Sequence, residues 1–452
     1  MPHDLFISTP DVVHLSTGPI AAASDTSHIF KYAFLGVDSN GAPPPIKLPA
    51  EYAPWQDALR RAKSLPLRLG DVSSAAEAWC QSVREMPVIS IDALLASLPD
   101  LVRARQVLLF LLHFYVHSLP PSSGSEGIRI PKALAIPVLE VSYALDMPPA
   151  LTYADTTYYN YELHEENGIR ALDLFTGSSD EAHFYVTTVE IEQEGQKAMA
   201  VMLEIVSALS DPALMDKNEE ERLAGLLRSL AASISEMGRI LDAVRDGCAP
   251  SVFYNDIRPW YVGSKEEGDG KWVFDRLEGN RWVQRGKEGA WVARAMAGST
   301  AAQSAIVQAV DVFLGIEGLT HERGGLGTNT AIDRGGYGGS GERGNFLTKM
   351  RAYLPLAHRK FIKALGDKAQ GLREHAEKSE VAREAYNEAV LALKEFRTVH
   401  VRIATLYIVS QARKAIGAEV SEGVKGTGGT ELVPFLKGVR DRTGQGALKV
   451  SE

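Results

Sequence analysis

The chain has 452 residues, past the roughly 250–300 at which one hydrophobic core stops growing, so two or three domains are expected. Hydrophobic residues make up 45% and charged residues 23%, which excludes wholesale disorder and collagen. The net charge of −9 lacks the basic footprint of general nucleic-acid binding, and two cysteines, Cys80 and Cys248, are too few for a disulfide framework or a Cys-rich zinc site. The longest apolar run, residues 107–116, is interrupted by His113 and falls short of the roughly 20 residues of a membrane helix. The N-terminus has neither the basic start nor the apolar run of a signal peptide. The expectation is a soluble protein of a reducing compartment, the cytoplasm, with no nucleic-acid or membrane partner.

Residues 1–50 read as loop, including the run Pro43-Pro44-Pro45. Helical patterns cover residues 57–62 and 73–85, and a further helix opens at residues 90–92 with Asp92 as its expected cap. From 100 to 117 apolar residues recur on every side, the pattern of a fully buried helix. A loop at 120–124 leads into a helix over 131–145, which Pro148 and Pro149 stop. Residues 151–175 are irregular and aromatic-rich. Ser178-Ser179-Asp180 is an N-cap cluster for a helix reaching about residue 209, and a second helix fits 218–248. A connector rich in Trp and Gly spans 248–298. Helices are then expected over 300–314, over 345–365 with a bend at Pro355, and over 379–416 as one long uninterrupted element. A glycine-rich surface loop at 324–344, a mobile loop at 417–429 and a last short helix after Thr430 complete the pattern. The fold class is mostly all-α. The switch from irregular segments to long helices divides it into a smaller N-terminal domain, 1–175, and a large helical domain, 176–452.

Several motif-like spacings fail on context. Gly336-Tyr337-Gly338-Gly339-Ser340-Gly341 fits G-x-G-x-x-G but follows no strand and opens no helix. Gly426-Thr427-Gly428-Gly429-Thr430 lacks the Lys-Ser or Lys-Thr of a phosphate cradle and reads as a flexible lid. His113 and His117 have metal-ligand spacing without the glutamate of H-E-x-x-H, and read as two packed histidines.

The long helix is more informative. Tyr386, Val390, Leu393, Phe396, His400, Ile403 and Tyr407 recur at steps of three and four and form one apolar face. His400 in the middle of that face is either a core histidine bonded to a carbonyl or an axial ligand reaching haem iron from an apolar slot. Arg397, three residues earlier, is either solvated or the partner of a haem propionate. In Phe253-Tyr254-Asn255-Asp256-Ile257-Arg258, two aromatics and an arginine could stack on a flat ring and clamp a carboxylate, or simply pack and form a surface ion pair.

These segments belong to a larger set. Ala133-Leu134-Ala135-Ile136-Pro137-Val138, Pro148-Pro149-Ala150-Leu151-Thr152-Tyr153-Ala154-Asp155, residues 184–192 and residues 253–258 come first. Ala302-Gln303-Ser304, Asp311-Val312-Phe313-Leu314-Gly315, Met350-Arg351-Ala352-Tyr353-Leu354-Pro355, Phe396-Arg397-Thr398-Val399-His400 and residues 426–430 come after them. In these segments and their order the chain resembles the indoleamine 2,3-dioxygenases, the fungal members above all. The resemblance implies a large helical domain capped by a small one, with haem b between them. It makes His400 the axial ligand of the haem iron. Arg397 becomes the partner of a propionate, Asp311 its support, and Thr300 a further cofactor-binding residue. Phe184 and Thr188 match the distal positions, Phe253 and Tyr254 the aromatic pair over the indole, and Arg258 the clamp on the substrate carboxylate. Tyr153, Thr156 and Thr157 match the pocket wall from the small domain, and Thr427 the closing loop.

The implied reaction is insertion of O2 across the indole C2–C3 bond of L-tryptophan or a related indole, with a reductant keeping the iron ferrous and the protein a monomer. No acid or base is assigned. Where the family reads Gly-Gly-Ser-Ala-Gly-Gln-Ser, this chain has Gly298-Ser299-Thr300-Ala301-Ala302-Gln303-Ser304. Ser299 adds bulk beside the substrate, and Thr300 is stiffer than serine. The alternatives are a haem protein of this scaffold acting on another indole or binding O2 without turnover, and a haem-free helical interaction protein.

Overall fold

The computed structural model describes residues 20–27, 29, 33–36, 42–120, 126–164, 168–209, 217–265, 268–274, 283–285, 291–317, 346–416 and 432–449. The glycine-rich loop 324–344, the loop 417–429 with Thr427, and most of residues 1–41 lie outside the described residues. The chain is predominantly helical, as its patterning predicts. Among the described residues no helix is long and apolar enough to cross a membrane.

The centre of the N-terminal half is the helix Leu98–Ser118, buried along almost its whole length. Its cap is Ser97, whose Oγ accepts from the Asp100 N–H at 3.4 Å. Asp92, the expected cap, instead begins the 3-10 turn Asp92–Ala96. Pro99 sits in the first turn, where its missing N–H has no partner to lose. Ser97→Ala is expected to cost about 1 kcal/mol of stability, and Asp92→Ala less, in urea unfolding.

Ser73 and Ser178 cap the helices Ser74–Arg84 and Ser179–Leu209 through the N–H groups of Ala76 and Glu181. Other expected elements differ at their ends. The helix predicted over 218–248 runs as Lys217–Asp242 and finishes in a 3-10 turn, Ala243–Asp246. The one over 300–314 is a 3-10 turn, Ala301–Gln303, followed by Ala305–Phe313. Pro355 breaks the element over 345–365 instead of bending it. Phe346–Arg351 ends before the proline, and Leu356–Lys368 starts after it with Pro355 extended as the cap. The long element keeps its course but not one hydrogen-bond ladder. Glu380–Ala404 passes through a π turn, Thr405–Val409, into Ser410–Ile416.

The two stretches without a helical pattern hold ordered structure. Residues 151–175 contain a π turn, Ala154–Tyr158, and an antiparallel hairpin of β2 (Tyr161–His164) with β3 (Gly168–Ala171). The Trp-rich connector contains β4 (Trp272–Phe274), β5 (Val283–Arg285) and β6 (Trp291–Ala293). They join β1 (Ile128–Ile130) in the order β1-β4-β6-β5, with β1 and β4 parallel.

Buried charge on Leu98–Ser118 positions the segments packed around that helix. Arg105, fully buried, bonds both carboxylate oxygens of Asp155 at 2.9 and 3.0 Å. Asp155 Oδ2 also accepts from the N–H and hydroxyl of Thr152. Arg103 pairs with Asp173 at 2.8 Å. A charge buried at this depth requires such a partner, so these pairs fix segment 152–173 to the helix. His113 and His117 anchor a second segment. Leu151 N–H donates to His113 Nε2, so Nδ1 carries the proton and donates to the Trp260 carbonyl at 2.7 Å. His117 Nε2 donates to the Val262 carbonyl at 2.9 Å. Burial holds both imidazoles neutral, His113 down at about 3 and His117 at about 4. They are packed histidines, and they hold segment 258–262 in place.

In the C-terminal half, Glu380–Ala404 packs along Lys217–Asp242, which packs on Ser179–Leu209. Leu432–Gly444 packs on Glu380–Ala404 as well.

Candidate active site

These pieces meet around one cavity of about 240 Å3. The segment held by Arg105 supplies Tyr153, Thr156 and Thr157 to its wall, and Ser179–Leu209 supplies Phe184 and Thr188. The segment held by His113 and His117 supplies Arg258, and Glu380–Ala404 supplies Arg397 and His400. Phe253, Ser299, Thr300 and Asp311 complete the set of predicted residues on the wall. Tyr254 is not on it. Its ring lies instead against Arg258, 5.7 Å from the guanidinium carbon. Thr427 lies outside the described residues.

His400 differs from the two anchoring histidines. Its ring faces the cavity and meets no hydrogen-bond partner among the described residues. Surrounding protein, and secondarily the positive charge of Arg397, pull its imidazole down to about 4, so it is neutral near pH 7. A core histidine would be bonded as His113 is. His400 has a lone pair open to whatever the cavity holds.

Arg397 is buried, not solvated. Its Nη2 bonds both oxygens of Asp311, at 2.7 and 2.5 Å, and Nη1 donates to the Thr443 hydroxyl. The pair brings a fixed cation to the cavity wall one helical turn from His400. Arg258 is a second cation there. Burial lowers its affinity for its proton, and the neighbouring Tyr254 partly offsets this. Phe184 and Phe253 sit with ring centroids 4.7 Å apart, tilted by 41°, and Tyr407 meets Phe253 edge-on at 5.7 Å. The cavity is therefore mostly apolar and aromatic, with two arginines and one open imidazole.

Segment 298–304 is held against this wall on several sides. Gly298 admits no side chain, since a Cβ there would fall 1.4 Å from the Tyr261 carbonyl oxygen. Gln303 Nε2 donates to the Gly298 carbonyl, and the Tyr153 N–H donates to Gln303 Oε1 at 2.8 Å. The hydroxyl of Ser299 lies 3.0 Å from that of Thr156, so the added bulk becomes a contact between two walls. Ser304 donates to Glu192 Oε1 at 2.7 Å.

The model of the family described as indoleamine 2,3-dioxygenase matches residues 31–446. The chain belongs to that family. It is 28% identical over 432 residues to the indoleamine 2,3-dioxygenase of Saccharomyces cerevisiae, covering 87% of each protein. It is 29% identical to indoleamine 2,3-dioxygenase acdA of Aspergillus candidus, over 89% of this chain and 92% of that one. It is 28% identical to the 6-hydroxytryptophan 2,3-dioxygenase of Fusarium equiseti, over 86% of this chain and 90% of that one. As a member of the indoleamine 2,3-dioxygenase family the protein is an oxidoreductase, a dioxygenase.

Three contributors to this dioxygenase site carry no signal of their role in the sequence. Gln303 joins two walls through its amide, Thr443 completes the Arg397 pair, and Glu192 accepts from Ser304. Thr443 and Glu192 lie 46 and 112 residues from those partners, and only the fold brings them together. The family motif contains Gln303 and Ser304 without indicating what they bond.

Proposed function

We propose that this dioxygenase binds haem b on His400 and opens the indole C2–C3 bond of L-tryptophan, giving N-formylkynurenine. One observation carries the reading: a single cavity joins a neutral imidazole, without a hydrogen-bond partner among the described residues, to a buried arginine and an aromatic pair. The donor set fits haem. A neutral imidazole in an apolar slot is a common haem ligand, and the Arg397–Asp311 pair supplies a cation for a propionate. Among the described residues no group of three His, Cys, Asp or Glu side chains could hold a bare metal ion.

When bound, haem iron supplies the dioxygen chemistry. The chain's own residues do the positioning. Arg258 binds the substrate carboxylate, and Phe253 and Phe184 set the plane of the indole ring. Thr300 and the Arg397–Asp311 pair would help to hold the haem. Tyr254 supports Arg258 by its ring contact.

The same reading takes residues 1–175 as the cap and 176–452 as the cofactor-binding unit. It has the enzyme act as a cytoplasmic monomer that depends on a cellular reductant.

A ring-hydroxylated tryptophan is the second reading. The hydroxyls of Thr156, Thr157, Thr188 and Ser299 cluster on the cavity wall, and one relative is named for 6-hydroxytryptophan.

An absorbance time course decides between them. Haem-loaded, reduced protein in air with L-tryptophan is expected to develop the N-formylkynurenine band. No product from L-tryptophan, with product from a hydroxytryptophan, would establish the second reading. No product from either would sink both.

A further inference from the structure

Tyr407 ends the helical repeat that carries His400, and the proposed function gives it no role. It stands two helical turns beyond His400, inside the π turn Thr405–Val409, and is buried. Two consecutive side chains of that wider turn, Tyr407 and Ile408, reach the cavity wall. Tyr407 makes two contacts with one other piece of chain. Its hydroxyl donates to the Cys248 carbonyl, with the Val244 carbonyl farther off at 3.4 Å. Its ring meets the Phe253 ring edge-on, with centroids 5.7 Å apart. Tyrosine suits both contacts because it joins an apolar body to a polar tip.

The piece of chain that Tyr407 touches has no long element of its own. After the 3-10 turn Ala243–Asp246 come the three-residue helix Pro250–Val252 and the π turn Phe253–Ile257, and Arg258 follows directly. Helical pieces this short are not stable alone, so their place is set by what holds them. One hold comes from Ser179–Leu209. Asp180 Oδ1 accepts from the Ala249 N–H at 2.6 Å, and His183 Nε2 donates to the Ala243 carbonyl at 3.0 Å. The other comes from Tyr407, on the element that carries His400. The Phe253 N–H donates to the Ala249 carbonyl at 3.0 Å, so residues 248 and 249 are the base on which Phe253 stands. Tyr407 thus bonds the base of this turn with its tip and touches the Phe253 ring with its body.

We propose that Tyr407 is a positioning residue of the dioxygenase, one that sets Phe253, and through it the indole ring, relative to the element bearing His400. The proposal rests on the tryptophan-cleaving reading and adds a residue to its substrate-holding set. Tyr407→Phe keeps the ring and removes the hydroxyl. In full-length, haem-loaded protein it should raise KM for L-tryptophan about fivefold, the worth of one net hydrogen bond, and leave kcat within about twofold of wild type. A purely structural loss would shrink the active fraction instead, lowering kcat at an unchanged KM. In a Phe253→Leu background the same change should raise KM by less than about twofold, because its effect passes through the ring already removed. Hydrogen exchange gives a readout independent of turnover. Amides of residues 249–257 should exchange about fivefold faster in Tyr407→Phe, while those of Leu98–Ser118 keep the wild-type rate. An unchanged KM, an equal rise in KM in the Phe253→Leu background, or unaltered exchange at 249–257 would overturn the proposal. If wild-type protein gives no product from L-tryptophan, the functional reading has failed, and the exchange rates still decide whether Tyr407 anchors this turn.

Discussion

Replacing His400 by alanine is expected to leave a folded protein that no longer retains haem. The side chain makes no hydrogen bond to the described residues, so its removal leaves no protein donor or acceptor bare. Alanine is also the best helix former, and position 400 lies inside Glu380–Ala404. The melting temperature of the haem-free protein should therefore move little, while the one histidine on the cavity wall among the described residues is gone. After desalting, haem per chain measured at the Soret band should drop to roughly a tenth of wild type or less. Added imidazole should restore part of the spectrum by filling the space the ring vacated. A His400→Ala spectrum matching wild type in both intensity and position would remove His400 from the iron.

The second large effect is expected at Arg258. On the proposed function, alanine there would leave the substrate carboxylate facing an apolar cavity without its cation. Losing one partner of a desolvated charge pair costs roughly 2–5 kcal/mol. At about 1.4 kcal/mol per tenfold, KM for L-tryptophan should rise by roughly 30-fold to several thousand-fold. Arg258→Lys should recover only part of this, because an ammonium cannot make the planar two-point contact of a guanidinium. Haem content should stay at the wild-type level in both variants, which separates this effect from that of His400→Ala. An unchanged KM would mean that the carboxylate is held elsewhere, with Arg397 as the other cation on the wall.

Residues that act through local spacing were readable in the sequence. The face carrying Phe396, His400 and Ile403 is a helical repeat, and Arg397 lies one turn before the histidine. The cluster 253–258 is contiguous. What spacing could not distinguish was three histidines of similar appearance. His113 and His117 differ from His400 only in having carbonyls of segment 260–262 within reach, a fact of tertiary structure. Tyr254 illustrates the same limit. It adjoins Phe253 in sequence, yet neighbouring residues on a turn point in different directions, and only Phe253 reaches the cavity. The small sheet was unreadable for another reason. Strands of three residues carry too little alternation, and β1 finds its parallel partner β4 more than a hundred residues away. The break at Pro355 was legible as a disturbance. Its severity was set by packing, because the helix that restarts after the proline lies against Ala305–Phe313.

Gly298 and Ser299 are adjacent, yet they have opposite prospects in a mutant library. At 298 even a methyl group would overlap the Tyr261 carbonyl, three residues past Arg258, so a substitution there has to push that backbone aside. Variants at 298 should be lost as misassembled sites whatever their chemistry. Position 299 already carries a side chain whose hydroxyl reaches Thr156 across the cavity. Randomising 299 together with 156 would reshape one wall while both anchored segments stay in place. A search for new indole preferences in this scaffold would begin with that pair.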